Sequence, residues 1–172
     1  MQISIEAFGK DDIETLAKIS RETFVQSHGH SADANAISTY VDAQFTTTIL
    51  SEAIQDPTIH YSKIRVDGAL AGYSKLILNS PNTNTSLSPI AKFERVYLLK
   101  EYYGLGLGKA LLTHNLNLAQ QHQQKALWLY VWTENDKGLA FYKKHDFKTI
   151  GTHDFKISAN HYNPNYVMLK VI

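Results

Sequence analysis

Apolar positions recur along this chain with two different periods, and these periods divide its first part into a strand and a helix. Every second residue is apolar over residues 3–7, which predicts a strand. Apolar residues then recur every three or four positions over residues 13–24, which predicts a helix with Asp11 or Asp12 as its N-cap. The segment 27–31, Ser-His-Gly-His-Ser, interrupts this pattern, so we expect the helix to end before it.

A second helical region and a hairpin come next. Apolar or long side chains at residues 37, 40, 41, 44 and 45 predict a helix, and a shorter helix over residues 48–55 stops at Asp56-Pro57. Strands over residues 59–66 and 69–78 flank Asp67-Gly68, a pair that suits a type I′ turn. The polar loop over residues 79–89 is either a surface linker or a flap beside a binding site.

The remaining elements alternate between strands and helices. Strands are predicted over residues 90–98, 127–131, 147–150 and 166–171, and helices over residues 107–121 and 135–144. This order predicts a mixed α/β sheet. A chain of 172 residues can bury roughly 70% of its unfolded surface, so we expect one domain over residues 1–172.

Three alternating glycines follow the strand at 90–98 and lead into the helix at 107–121. Gly104, Gly106 and Gly108 let the backbone approach a ligand closely, and the first N–H groups of the helix attract an anion. Ala110 follows Lys109, so the hydroxyl that a Walker A loop gives to magnesium is missing, and the spacing also fits a Rossmann fingerprint poorly. A tight turn without a ligand would need only one or two glycines, so we expect a phosphate or pyrophosphate ligand.

Residues 103–108, Tyr-Gly-Leu-Gly-Leu-Gly, resemble the pyrophosphate loop of GNAT-superfamily N-acetyltransferases, Q/R-x-x-G-x-G/A. Gly106 and Gly108 match its small positions, whereas Tyr103 replaces its Gln or Arg and removes a side-chain donor. Residues 127–147 resemble the strand, Asn, helix and Phe-Tyr sequence that follows this loop in the family. The resemblance implies a GNAT fold, with about seven mostly antiparallel strands flanked by helices and with strands 4 and 5 splayed apart.

The same resemblance implies acetyl-CoA as co-substrate and assigns the residues that bind it. Backbone groups of Val96, Tyr97 and Leu98 would contact the pantetheine arm, which acts as a surrogate strand in the splayed gap. Asn135 and Tyr142 would lie near the pantetheine and its thioester. The pyrophosphate would bind at Tyr103, Gly104, Leu105, Gly106, Leu107, Gly108 and Lys109.

Acetyl transfer needs a proton donor for the departing thiolate, and Tyr142 is the candidate. Tyr142 lies two helical turns after Asn135, on the same helix face, and a free phenol has a pKa of about 10, near that of a thiol. Packing of the helix on the sheet explains Phe141 better than it explains Tyr142. Asn135 also suits the N-cap of this helix, and the two roles are compatible.

The general base is less clearly indicated, and Glu94 is the candidate. Strand alternation predicts that Lys92, Glu94 and Val96 share one side of their strand, so Glu94 could take the amine proton directly or through water. An outward-facing surface charge explains Glu94 equally well. Lys92 stands where relatives often carry an acidic residue, which weakens the expectation of an acidic pocket for a polycation.

Within the superfamily, the chain is most similar to bacterial polyamine N-acetyltransferases of the PaiA type. The similar segments are residues 22–24, 29–30, 71–76, 94–102, 128–132 and 151–155. They imply a small-molecule amine substrate, a polyamine among the candidates. A catalytically silent acyl-CoA-binding sensor and an enzyme that acetylates a protein N-terminus or lysine remain alternatives.

The composition of the chain limits which binding partners and which cellular location we expect. The chain has no cysteine, which excludes disulfides and thiolate sites, and its formal charge of +1 gives no basic face for nucleic acid. No signal peptide or long apolar run occurs, so we expect a cytoplasmic protein without a membrane partner. The eight histidines form no H-E-x-x-H motif, so we expect no metal; His28 and His30 line the substrate mouth or lie on a solvated loop. Whether the protein forms a homodimer is left open.

Overall fold

The computed structural model describes residues 1–159 and 161–172, which form seven strands and five α-helices. The strands are β1 (Ile3–Ala7), β2 (Ile59–Val66), β3 (Ala69–Ile77), β4 (Ala91–Leu98), β5 (Ala126–Trp132), β6 (Lys148–Ser158) and β7 (His161–Val171). The helices are α1 (Ile13–His28), α2 (Ala34–Gln44), α3 (Thr47–Gln55), α4 (Leu107–Gln121) and α5 (Asp136–Lys144). Among the described residues, no helix combines the length and the apolar character needed to cross a membrane.

All seven strands form one mixed sheet in the order β1-β2-β3-β4-β5-β7-β6. Only β4 and β5 run parallel to each other, and the other neighbouring strands are antiparallel. Helices α4 and α5 pack on one face, and α1, α2 and α3 pack on the other. The expected mixed, mostly antiparallel sheet with flanking helices is confirmed.

The β4–β5 pair opens after its first two residue pairs. Ala91 pairs with Leu127 and Lys92 with Trp128, and no further pair joins the two strands. Residues 96–98 still pair with β3 on their other side. One edge of β4 therefore presents backbone N–H and C=O groups that the sheet does not use, as the expected splay requires.

Most element boundaries agree with the sequence pattern, including the β2–β3 turn. Asp67 and Gly68 have φ values of 47° and 84°, the two positive values that a type I′ turn needs. Asp33 and Thr46 cap the N-termini of α2 and α3 with their side chains.

Two segments differ from the prediction. Helix α1 continues through His28, because Gly29 keeps a right-handed conformation and its N–H still donates to the carbonyl of Val25 at 2.9 Å. Strands β6 and β7 are longer than expected, although Pro164 argues against a strand at that position. Tertiary packing explains the extension, since Phe155 and Ile157 of β6 pack against the apolar face of α2.

Candidate active site

The glycine loop leads directly into helix α4. Gly104 and Gly106 have φ values of 81° and 76°, a conformation that side chains with a Cβ rarely adopt. Gly106 is the N-cap of α4, so the N–H groups of Leu107, Gly108 and Lys109 lie in the first turn, where no helix carbonyl accepts from them. This arrangement can bind an anion through the backbone alone.

A groove of about 840 Å³ runs from this loop towards the gap between β4 and β5. Leu105 and Lys109 are exposed outside its lining, and the side chain of Leu107 is buried in the core, so only its backbone is available to a ligand. Gly106 shapes the turn without lining the groove. The predicted cofactor residues that line the groove are Val96, Tyr97, Leu98, Tyr103, Gly104, Gly108, Asn135 and Tyr142.

A second cavity, of about 300 Å³, lies on the other side of the splayed strands. The groove and this cavity share six lining residues, which mark the junction between them: His28, Val96, Tyr97, Trp132, Asn135 and Tyr142. A ligand in the groove and a second ligand in the cavity would meet at this junction.

Tyr142 lies at the junction with its ring in the core. The side chain is 8% exposed and packs between Phe141 and Phe147. Burial raises the pKa of Tyr142 above its ordinary value, so the hydroxyl keeps its proton at neutral pH. A protonated hydroxyl at this point can donate a hydrogen bond to a group that becomes negative.

Asn135 is the N-cap of α5. Its Oδ1 accepts from the N–H of Gly138 at 2.9 Å, and a Cβ at Gly138 would lie 2.6 Å from Asn135 Nδ2. Glycine at residue 138 therefore leaves the space that the Asn135 side chain occupies. The N-cap role predicted for Asn135 is confirmed, and the cap lies at the junction of the two cavities.

A β-bulge changes the direction of side chains along β4. Lys75 of β3 pairs with Arg95 and Leu76 pairs with Phe93, so Glu94 has no partner across the two strands. After the bulge, Val96 packs towards α4, whereas Arg95 lies over the Phe45 ring at the end of α2. The prediction that Val96 shares a side with Lys92 and Glu94 is therefore wrong, because strict alternation ends at the bulge.

Glu94 lies in the 300 Å³ cavity between two lysines. Its Oε2 is 2.5 Å from Lys75 Nζ, and its Oε1 is 3.2 Å from Lys92 Nζ. Burial by itself would raise the pKa of Glu94, but the positive charges of Lys75, Arg95 and Lys92 outweigh burial and lower the pKa to about 2. The carboxylate is therefore ionised at neutral pH and is a weak base.

His28 reaches the junction from the last turn of α1. Its Nε2 lies 3.1 Å from the hydroxyl oxygen of Tyr97, and its ring packs against Phe24. Burial, with a smaller contribution from the charge of His30, lowers the pKa of His28 to about 4. His28 is therefore a neutral imidazole near pH 7. It lies at the junction in the last turn of α1 rather than on a solvated loop.

We expect the stability of the protein to fall between pH 6.5 and pH 4, partly through His28. The unfolded chain binds a proton on this histidine near its ordinary pKa of 6.5, whereas the folded protein binds it only near 4. The contribution is complete above pH 6.5 and is lost as the pH falls towards 4, with an upper bound of about 3 kcal/mol. Urea unfolding at pH 7 and pH 4.5 measures this loss.

His28→Gln provides the comparison, because glutamine does not titrate. The loss of unfolding free energy between the two pH values should be smaller in the variant than in the parent. His60, His114 and His145, whose pKa burial also lowers, titrate in both proteins and cancel in the difference. Equal losses in parent and variant would contradict the assignment.

Several residues that line the cavity were not predicted as site residues from the sequence. The 300 Å³ cavity takes side chains from α1, α2, β5, β6 and β7, which are distant in the chain. A spacing rule could not have found them, because each lies on an element whose position depends on the sheet order. They are Phe24, Tyr40, Gln44, Tyr130, Phe155, Asn163 and Asn165.

The acetyltransferase (GNAT) family model matches residues 14–147, a range that includes the glycine loop and all of α5. The chain belongs to the GNAT family. An uncharacterized N-acetyltransferase of Mycobacterium tuberculosis is 31% identical over 159 residues, covering 92% of this chain and 97% of the relative. This GNAT protein is therefore an N-acetyltransferase.

Two further similar proteins come from Thermoplasma acidophilum. A spermidine N(1)-acetyltransferase of Thermoplasma acidophilum is 24% identical over 156 residues, covering 88% of this chain and 92% of the relative. The crystal structure of PaiA N-acetyltransferase from Thermoplasma acidophilum, in complex with coenzyme A, superimposes with a TM-score of 0.79 at 23% identity and covers all of both chains. This likeness confirms the GNAT fold of the chain. Within residues 1–159 and 161–172, no three His, Asp or Glu side chains come together as a metal site.

Proposed function

We propose that this GNAT enzyme transfers an acetyl group from acetyl-CoA to a small primary amine. The observation that carries the proposal is the junction, where the groove below the glycine loop and the 300 Å³ cavity share the residues around Tyr142. Coenzyme A in the structure of Thermoplasma acidophilum PaiA supports acetyl-CoA as the ligand of the groove. The cavity is then the acceptor pocket, and its volume suits a small molecule.

The groove would bind acetyl-CoA through backbone groups. Its pyrophosphate would lie against the first-turn N–H groups of α4, next to Gly104 and Gly108. The amide-bearing pantetheine would pair with the free edge of β4 at residues 96–98, where β5 has diverged. The thioester would then reach the junction with the acceptor pocket.

The reaction begins when the neutral amine attacks the thioester carbonyl. A tetrahedral intermediate forms, and its collapse breaks the carbon–sulfur bond and releases the coenzyme A thiolate. Tyr142 would donate a hydrogen bond or a proton to this sulfur. Because its pKa is raised, stabilisation of the thiolate by a hydrogen bond is favoured over complete proton transfer.

The amine must also lose a proton, and two groups border its path. Glu94, as a weak base between two lysines, would accept this proton through a water rather than directly. His28 is a neutral imidazole at the junction itself and is the alternative acceptor. Glu94→Gln and His28→Gln, compared by the pH dependence of kcat/KM, distinguish the two routes.

Resemblance to PaiA-type enzymes and to the spermidine N(1)-acetyltransferase makes a polyamine one candidate acceptor, to be tested against other amines. The deciding experiment is a thiol-release assay with acetyl-CoA and a panel of polyamines, aminoglycosides, amino acids and peptides. Turnover with at least one small amine supports the proposed function. A silent acyl-CoA sensor would bind acetyl-CoA without turnover, and a protein acetyltransferase would act on the peptides alone.

A further inference from the structure

We infer that the acceptor of this enzyme is a small amine that also carries a carboxylate, which binds at Arg95 and Lys92 in the acceptor pocket. The inference rests on the proposed function, because it concerns the second ligand of the same site. It depends on the charged side chains around the pocket, on the β4 bulge that brings them together, and on the uncharged side chains that form the rest of the pocket lining.

The acceptor pocket has an excess of positive charge. Its lining includes Lys92, Arg95 and one carboxylate, Glu94, and Lys75 contacts that carboxylate from β3. Both oxygens of Glu94 already pair with lysines, at 2.5 Å and 3.2 Å. Three cations therefore surround one carboxylate, which leaves this part of the pocket with a net positive charge.

Arg95 is the one of these three cations that does not contact this carboxylate directly. Among the described residues, no Asp or Glu oxygen lies within 4.0 Å of its guanidinium, which rests 4.8 Å from the centre of the Phe45 ring. Arginine keeps its charge in proteins, and its planar set of donors matches a carboxylate in two parallel hydrogen bonds. A partly buried guanidinium on a cavity wall is suited to an anionic group of a ligand.

The bulge at Glu94 explains why these charges face one cavity. Without the bulge, Glu94 and Arg95 would point to opposite faces of the sheet. The extra residue turns both towards the side covered by α1 and α2, where Lys92 also lies. Lys92 Nζ is 5.2 Å and 5.0 Å from the ring centres of Trp128 and Tyr130, so an aromatic wall adjoins the cationic region.

The rest of the wall is aromatic and uncharged. Phe24, Tyr40, Tyr130 and Phe155 supply rings, and Asn163 and Asn165 supply amides. A polyamine would bring further positive charges beside Lys92 and Arg95, and like charges at short range disfavour binding. An apolar or aromatic amine with one carboxylate fits both parts of this wall.

The experiment uses acceptors that differ only in the anionic group. Para-(aminomethyl)benzoate is compared with para-(aminomethyl)benzamide, and ε-aminocaproate with its amide, in the thiol-release assay; spermidine is the polycation control. The remote amine has a similar basicity within each pair. We expect kcat/KM for each carboxylate to exceed that for its amide at least about tenfold.

Variants of Arg95 and Lys92 test whether these two residues cause the preference for the carboxylate. Arg95→Gln and Lys92→Gln should each reduce the ratio of carboxylate to amide towards unity, whereas Arg95→Lys should keep part of it. Circular dichroism and acetyl-CoA affinity show whether each variant is folded. If Arg95→Gln does not fold, Lys92→Gln and the parent ratios still decide the inference.

The outcomes separate the inference from the proposed function. Preferred turnover of spermidine or of the amides would overturn the inference and leave the N-acetyltransferase proposal standing. Calorimetry of para-(aminomethyl)benzoate with the coenzyme A-bound enzyme tests the pocket without turnover. Tighter binding than the amide, without turnover of any amine, would support the carboxylate-binding site at Arg95 and Lys92 and refute the proposed reaction; equal binding would overturn the inference.

Discussion

Replacement of Tyr142 by phenylalanine should lower the turnover number by roughly 10²-fold to 10⁴-fold, the scale of a lost general acid. The ring of Tyr142 is buried between Phe141 and Phe147, and phenylalanine keeps these contacts. Only the hydroxyl is removed, from a residue that lines both the groove and the acceptor pocket. Steady-state thiol release with saturating acetyl-CoA measures the effect.

Acetyl-CoA affinity of the same variant is the control, because a loss confined to the chemical step leaves binding nearly unchanged. Calorimetry should give a dissociation constant close to that of the parent. A rate within about threefold of the parent corresponds to less than 1 kcal/mol in the activation barrier. That result would show that Tyr142 only packs α5 on the sheet.

Gly108→Glu should abolish measurable acetyl-CoA binding, with an affinity loss of about 100-fold or more, or roughly 2.7 kcal/mol. Gly108 lies in the first turn of α4 and lines the groove. A carboxylate there would occupy the proposed phosphate position and repel the phosphate charge. Calorimetric titration with acetyl-CoA tests this expectation.

Two matched variants at residue 108 separate charge from bulk. A Cβ at Gly108 would lie 3.8 Å from the Phe141 ring, an ordinary contact, so Gly108→Ala should fold and retain most of the affinity. Gly108→Gln adds the bulk of glutamate without its charge and should give an intermediate loss. Gly106→Glu should also abolish binding, but the positive φ of Gly106 adds backbone strain, so residue 108 gives the clearer test. Unchanged affinity in folded Gly108→Glu would refute the pyrophosphate site.

The elements of the fold that local pattern determines were predicted within a few residues. The β2–β3 hairpin follows from Asp67-Gly68, because few residue pairs adopt two positive φ values easily. Helix α4 begins at Leu107 as predicted, since its apolar period and its N-terminus are both local features. The extension of β6 was missed, because packing of Phe155 and Ile157 on α2 supports a strand that the local residues do not favour.

The residues of the candidate site were likewise predicted where they lie in one short segment, and missed where distant segments meet. The glycine loop and the Asn135-to-Tyr142 unit are each contained in one short segment, so their spacing was visible in the sequence. His28 was left with two alternatives, because the sequence did not show that α1 continues to residue 28 and brings its ring beside Tyr97. That contact joins residues 69 positions apart.

The sequence by itself determined the proposed cofactor site of this enzyme, because a helix N-terminus that can bind an anion is made by consecutive residues. Only the tertiary structure determined which side chains line the proposed acceptor pocket. The bulge at Glu94 depends on the β3–β4 register, and that register turns Arg95 towards the pocket and pairs Glu94 with Lys75. The charge of the acceptor pocket is therefore set by how strands pair, since pairing determines which side chains share a face.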